Sequence, residues 1–344
     1  MDKPYFIAEM SGNHNGSIEN AFKIIDAAKN SGADAVKIQT YSADSITLDC
    51  KDEEYLIKDE NSLWNGYSLY DLYQKASTPY EWHEELFAYA RKIGITLFSS
   101  PFDIPAIHFL EKFDCPILKI ASFEAIDTNL VKAAAETGKP LIISTGVASL
   151  QEMAEFVDVA LKNGCKDLSI LHCVSSYPAP VENTNLATMQ EIKRMFSKHP
   201  LIKVGLSDHS LGIGVSVAAC ALGAEVIEKH FVLDRSMGGV DSGFSMEPKE
   251  FAQMVAEGSK AAKAVGIPNF RISEGENKSQ RQFSRSLIVV KDVKEGEVIN
   301  DENMKSLRPG HGLHPRYYAQ CIGAKFNKNM KKGQGLKLED INFN

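Results

Sequence analysis

Eight short apolar runs recur along roughly the first 265 residues. They are YFIAEM from Tyr5, AVKIQT from Ala35, TLFSSP from Thr96, ILKIAS from Ile117, LIISTG from Leu141, LSILHCV from Leu168, KVGLSDH from Lys203 and VIEKHF from Val226. Each is nearly continuous rather than strictly alternating, the pattern of parallel strands covered on both faces. Between most of them lie amphipathic stretches with helical spacing, at 20–30, 81–92, 129–136, 151–162 and 186–196. Gly32, Gly94, Gly138, Gly164 and Gly223 stand where those helices should end, positions that favour a left-handed residue.

Eight strands alternating with helices predict a (β/α)8 TIM barrel. The structural alternative is a doubly wound sheet, which usually announces itself with a Gly-rich first turn; here the first strand runs into SGNHNG rather than GxGxxG. The stretch 41–80 is longer than a loop plus helix requires and predicts an elaborated loop over the barrel mouth. The texture changes after Gly266: 266–285 is polar and irregular, and SLIVVKDV, KEGEVI and QGLKLEDI follow. The domains are therefore expected at 1–265 for the barrel and 286–344 for a small β-rich unit, joined by a linker at 266–285. So small a unit is expected to lack a generous core and to lean on something else.

Composition narrows the function classes. A formal charge of −7 gives no basic patch for nucleic acid, so an anionic substrate would have to meet locally gathered cations. No apolar run approaches the roughly 20 residues that span a bilayer, and the start lacks the pattern of a signal peptide. Cysteines 50, 115, 165, 173, 220 and 321 are scattered without a CxxC pair, as in a cytoplasmic enzyme with reduced thiols.

In such a barrel the C-terminal strand ends feed the active site. Those ends carry Glu9, Lys37 and Gln39, Ser99 and Ser100, Lys119, Ser122 and Glu124, Ser144, Ser175 and Tyr177, Ser207, Asp208 and His209, and His230. Any one of them is unremarkable, but eight converging polar ends are costly to bury idle. Lys37 and Lys119 interrupt apolar strands. They read as two cations facing one small, doubly charged anion, joined by hydroxyls of Ser122, Ser144, Ser175 and Ser207. A Schiff-base lysine at either position, or a chain merely snorkelling to the rim, is the competing reading. His209 and His230 end the last two strands and suit an open site for Mn²⁺, Mg²⁺, Co²⁺ or Zn²⁺. The remaining histidines have weaker claims, although His14 and His314 could reach the mouth.

The motifs IAEMSGNHNG, VKIQT, SSPF, KIASFE, STG, HCVSSYP, GLSDHS and EKHF resemble, in order and context, those of the sialic acid synthase family. VKEGEVI, SLRPGHGLHP and KKGQGLKLEDI resemble its antifreeze-like (SAF) domain, so the likeness spans essentially the whole chain. LWNGYSLYDLYQKASTPYEWH, VDSGFS and RPGHGLHP are similar to the pseudaminic acid branch rather than the N-acetylneuraminate branch. MGGVDSGF also stands where the latter typically carries a PGPD-type stretch.

The resemblance implies condensation of phosphoenolpyruvate with the open-chain aldehyde of an acetamido sugar, giving a nonulosonic acid and phosphate. For this branch the sugar would be 2,4-diacetamido-2,4,6-trideoxy-L-altrose. Carried over by motif, Lys37, Lys119, Ser122 and Ser100 would hold the phosphoenolpyruvate carboxylate, and Ser144, Ser207 and Ser175 its phosphate. Neuraminate-type members often have asparagine at the position of Ser175. His209 and His230 match metal ligands, with Mn²⁺ the first expectation and Mg²⁺ or Co²⁺ the alternatives. Glu9, Gln39, Tyr177 and Asp241 match positions facing the sugar and metal-bound water, and Glu124 matches a carboxylate assigned to proton transfer. Arg308 matches an arginine that the antifreeze-like domain inserts into the neighbouring subunit's barrel, implying a domain-swapped homodimer. A synthase using N-acetylmannosamine or a related sugar, and a catalytically silent sugar- or ice-binding protein, are the rivals.

Overall fold

Strands β1 (Tyr5–Glu9), β2 (Ala35–Thr40), β3 (Thr96–Pro101), β4 (Leu118–Ile120), β5 (Leu141–Ser144), β6 (Leu168–Cys173), β7 (Ile202–Asp208) and β8 (Val226–His230) pair in sequence order, all parallel. Pairing of β8 with β1, from Tyr5 opposite Val226 to Glu9 opposite His230, closes the barrel. Almost every residue of these strands is buried, as their unbroken apolar runs require. The computed structural model describes residues 3–59, 62–268, 270 and 282–343. The chain divides into two units, Met1–Gly266 and Ile267–Asn344; most of the expected linker lies outside the described residues.

One main helix follows each strand. The helices are α1 (Ile18–Asn30), α2 (Ala43–Ile46) and α3 (Leu69–Ala76) in the long excursion after β2, then α4 (His83–Ile93), α5 (Ile104–Glu111), α6 (Thr128–Glu136), α7 (Leu150–Lys162), α8 (Leu186–Met195), α9 (Gly214–Ala221) and α10 (Pro248–Val265). Several of their starts are capped by side chains in the sequence. Ser17 accepts from the Asn20 amide, Asp103 from Ala106, and Ser149 forms a reciprocal box with Glu152. All five glycines expected at helix ends have positive φ, between 69° and 103°. Helices α5 and α9 escaped the periodicity because IPAIHFLE and GVSVAACA are apolar nearly all round. No helix among the described residues is long and apolar enough to cross a membrane.

The C-terminal unit pairs β9 (Ser286–Val289) with β10 (Met304–Leu307) and β11 (Lys325–Phe326) with β12 (Ile341–Asn342), both antiparallel. Small as it is, the unit has a core of its own. Leu287, Val289, Ile299, Met304, Phe326 and Leu336 are among the buried side chains that pack together within it. Its short strands fold around these, so apolar residues on irregular segments supply what strand periodicity did not reveal.

Candidate active site

Strand alternation decides which polar groups enter the barrel. On β2, Lys37 and Gln39 share the inward face and Ile38 turns out. On β3 the two serines separate: Ser100 accepts from Lys37 Nζ at 3.3 Å, whereas Ser99 bonds the Thr40 hydroxyl at 2.6 Å and the Ile38 carbonyl at 3.1 Å, beneath α4. On β7 and β8, Ser207, Glu228 and His230 point inward while Asp208 and Lys229 form a buried ion pair at 2.8 Å on the outer face. Asp208, although at a strand end, is thus structural.

The inward groups assemble around two lysines that are not free cations. Lys37 Nζ contacts the Glu9 carboxylate and lies 3.6 Å from Glu228 Oε1. That same oxygen accepts from Lys119 Nζ and from the Ser207 hydroxyl, each at 3.1 Å. Glu9 Oε1 accepts from the Ser11 amide at 3.0 Å. Burial alone would raise the Glu228 acid, but the Lys119 and Lys37 ammonium groups outweigh it and hold the carboxyl below its ordinary range. At Glu9 burial wins over Lys37, and its acid is raised. Of the two carboxyls, Glu9 is the one that takes up a proton more readily. Two ammonium groups and the Ser100 and Ser207 hydroxyls converge there, a set of donors suited to a small anion.

Hydroxyls line the next stretch of the mouth. Ser122 and Ser175 bond each other at 2.6 Å. They fill the space beside Gly146, where an added Cβ would fall 2.1 Å from the Ser175 oxygen and 2.6 Å from that of Ser122. The glycine of the STG motif is what lets the two hydroxyls meet. The Ser144 hydroxyl is buried and finds no partner among the described residues. Glu124, in the loop after β4, also keeps one carboxyl oxygen buried without a partner, and burial pushes its acid up to about 7.

His209, immediately after β7, and His230, at the end of β8, have ring centroids 5.4 Å apart. His209 Nδ1–H donates to the Val174 carbonyl at 2.9 Å, which leaves Nε2 with its lone pair available. His230 Nδ1 is buried with no partner. Burial lowers His209 to about 4 and His230 well below the usual histidine range, so both rings are neutral, the form a metal requires. Among the described residues no three His, Cys, Asp or Glu side chains form a closed cage. Two neutral imidazoles with an unpartnered nitrogen suit an open site whose other positions go to water or substrate. The residues fit a divalent cation.

Tyr177 lies over the His209 ring at 4.3 Å between centroids. Asp241, after β8, accepts from the Ser11 hydroxyl and, at 3.4 Å, from the Gly12 amide, and its burial raises its acid. Of the other histidines, His83 and His172 are tied to Thr40 and to the Thr184 carbonyl, each at 2.7 Å. His14 follows β1, buried edge-on to Trp82, with Nε2 unpartnered. Arg308 and His314 belong to the C-terminal unit, Arg308 exposed just beyond β10. Glu228 is the member that sequence reasoning passed over. EKHF was read for its histidine, although two residues apart on a strand means one face. A cavity of about 620 Å³ at the opposite rim, lined by Tyr5, Leu141 and Val226, offers no rival chemistry. Its Lys3, Lys193 and Lys203 are each paired with a carboxylate, at 2.8, 3.0 and 2.8 Å, as suits the stability face of a barrel.

Known proteins resemble this chain in sequence and fold. Residues 24–269 match the NeuB family and 284–342 the SAF domain. The chain is 46% identical over 339 residues to the pseudaminic acid synthase of Campylobacter jejuni strain 81-176, covering 98% of this chain and 97% of that one. It is 41% identical to the pseudaminic acid synthase of Helicobacter pylori, covering 99% and 98%. The crystal structure of the N-acetylneuraminic acid synthetase of Leptospira borgpetersenii, in complex with citrate, superposes with a TM-score of 0.70 at 33% identity, over 81% of this chain and 90% of that one.

Proposed function

The chain belongs to the NeuB family and ends in a SAF domain, and from that premise we propose that it is a pseudaminic acid synthase. This transferase would condense phosphoenolpyruvate with 2,4-diacetamido-2,4,6-trideoxy-L-altrose, giving pseudaminic acid and phosphate for surface glycans. The observation that carries the reading is one barrel mouth holding both a buried lysine–serine anion cradle and two neutral histidines with an unpartnered nitrogen. The near-full-length likeness to pseudaminic acid synthases supports the choice of sugar.

Lys37, Lys119, Ser100 and Ser122 hold the phosphoenolpyruvate carboxylate, and Ser144, Ser175 and Ser207 its phosphate. Each develops a fixed donor or cation where the reaction gathers negative charge. His209 and His230 would hold a divalent cation, Mn²⁺ first and Mg²⁺ or Co²⁺ as alternatives, which when bound withdraws electron density from the aldehyde oxygen. Glu9, Gln39, Tyr177 and Asp241 orient the sugar. Glu124, half-buried with one oxygen unpartnered and poised near neutrality, moves a proton to or from the reacting oxygens. Exposed apolar side chains ring the mouth on successive strand–helix loops, among them Phe123, Val147, Val181, Leu211 and Met237. Such a rim favours cover by another surface and is consistent with a swapped homodimer in which a partner's Arg308 completes the site.

Phosphate release tests the reading. Turnover is expected with phosphoenolpyruvate and the diacetamido trideoxy hexose, lost on exhaustive chelation and restored by Mn²⁺. Efficient use of N-acetylmannosamine or a legionaminate precursor instead would transfer the assignment to those synthases. Full activity after chelation would remove the metal. Sugar binding indifferent to metal and phosphoenolpyruvate, without phosphate release, would leave only a binding protein.

A further inference from the structure

The excursion after β2 and the loop after β8 meet beside the histidine pair, and what they bring there is aromatic. Trp64 packs on Tyr177 with centroids 5.4 Å apart and stands edge-on to Phe244 at 6.5 Å. Phe244 packs on Tyr177 at 5.3 Å and edge-on to the His230 ring at 4.8 Å. The indole N–H donates to the Val240 carbonyl at 2.7 Å, so Trp64 presents nothing but ring surface to its surroundings. Behind it Leu72, Ala76 and Val240 form a small buried cluster on which Ile57, Trp64 and Tyr67 rest. Leu63 closes on Gly243, where an added Cβ would come within 3.3 Å of its methyl. The wall is therefore built in advance and anchored on both loops.

We propose that Trp64, Phe244 and Tyr177 form the subsite for the deoxy end of the sugar, and that Trp64 sets the preference for a methyl over a hydroxymethyl group there. The inference rests on the synthase reading above. A hexose whose carbonyl end lies at His209 and His230 extends its carbon chain past the rings that flank those histidines. Trp64 and Phe244 offer that chain no donor or acceptor. A terminal hydroxyl entering among them loses its water without replacement, whereas a methyl gains contact. Apolar pockets discriminate against one added hydroxyl by on the order of 100-fold.

The test compares kcat/KM for the 6-deoxy diacetamido hexose and its 6-hydroxy counterpart at saturating phosphoenolpyruvate. Wild type is expected to favour the deoxy sugar by about 100-fold. Trp64→Ala should shrink that ratio to about tenfold or less, through the sugar's KM, with the KM for phosphoenolpyruvate unmoved. Trp64→Phe, which keeps an apolar ring, should retain most of the preference. An unchanged ratio in Trp64→Ala overturns the assignment. A second readout needs no turnover. The chain has two tryptophans, so Trp82→Phe leaves Trp64 as the sole indole reporter. Its emission should change saturably as the deoxy sugar is added, with and without phosphoenolpyruvate; silence in both conditions counts against the subsite. Turnover with an unchanged ratio and a silent Trp64 removes the subsite and leaves the synthase reading standing. A responsive Trp64 without phosphate release from any acetamido sugar does the reverse.

Discussion

Glu124 sits in the loop after β4 with one oxygen buried and unpartnered, and its acid is pushed up to about 7 by burial. A carboxyl raised in the folded state binds its proton more tightly there than in the unfolded chain. Between its ordinary pKa and about 7, rising pH therefore costs stability, by about 3 kcal/mol once the window is crossed. Glu124→Gln should raise the melting temperature at pH 8 and leave it little changed at pH 4.5, measured by thermal scans at both. The same substitution should abolish most turnover and erase any limb near pH 7 in the rate profile; near-normal turnover would remove Glu124 from proton transfer. Glu228 makes the opposite case. One oxygen serves Lys119, Ser207 and, more distantly, Lys37, so Glu228→Gln leaves the buried Lys119 ammonium without its counter-ion, while Lys37 keeps Glu9. A loss of about 3–5 kcal/mol in urea denaturation is expected.

Behind the site, β7 and β8 are joined on their outer face. Asp208 accepts from Lys229 at 2.8 Å and from the Ser216 hydroxyl at 2.6 Å, and Lys229 donates also to the Ser210 carbonyl at 2.6 Å. Each partner neighbours a site histidine in sequence, so the pair fixes the spacing of the two imidazoles from behind. Asp208→Asn should weaken Mn²⁺ binding about tenfold by calorimetry while phosphoenolpyruvate binding holds. The double replacement Asp208→Leu with Lys229→Met should cost less stability than either single change, because no charge is left buried alone. Strand and helix identities were legible at this scale, since burial on both faces and helical spacing are properties of a few consecutive residues. Helices α5 and α9 were not, being apolar all round, and Ser99 could be told from Ser100 only by register.

At the scale of the whole molecule, the reading of a shared site makes a demanding prediction. A subunit carrying His230→Ala keeps its Arg308, and one carrying Arg308→Ala keeps its barrel. Each homodimer should be nearly inactive at low sugar concentration. Mixed and reassociated, they should regain phosphate release, because one site in each heterodimer then has both an intact barrel and an intact arginine. No recovery on mixing, with heterodimers verified by mass, would place Arg308 outside its partner's site. In Arg308→Ala alone, the sugar's KM should rise far more than that of phosphoenolpyruvate.

The linear chain determined the order of the barrel, the boundaries of five of its helices and the inventory of polar groups at the strand ends. Those follow from local periodicity, and the period of two assigns each residue of a strand to a face. Only the tertiary structure decided what those groups meet. Lys37 and Lys119 read as free cations until β1 set Glu9 opposite Lys37 and β8, closing onto β1, brought Glu228 against both. Trp64 and Phe244 are unremarkable apart until two distant loops pack into one wall. Ion pairing and ring contact depend on separations between segments remote in sequence, and those distances exist only once the barrel has shut.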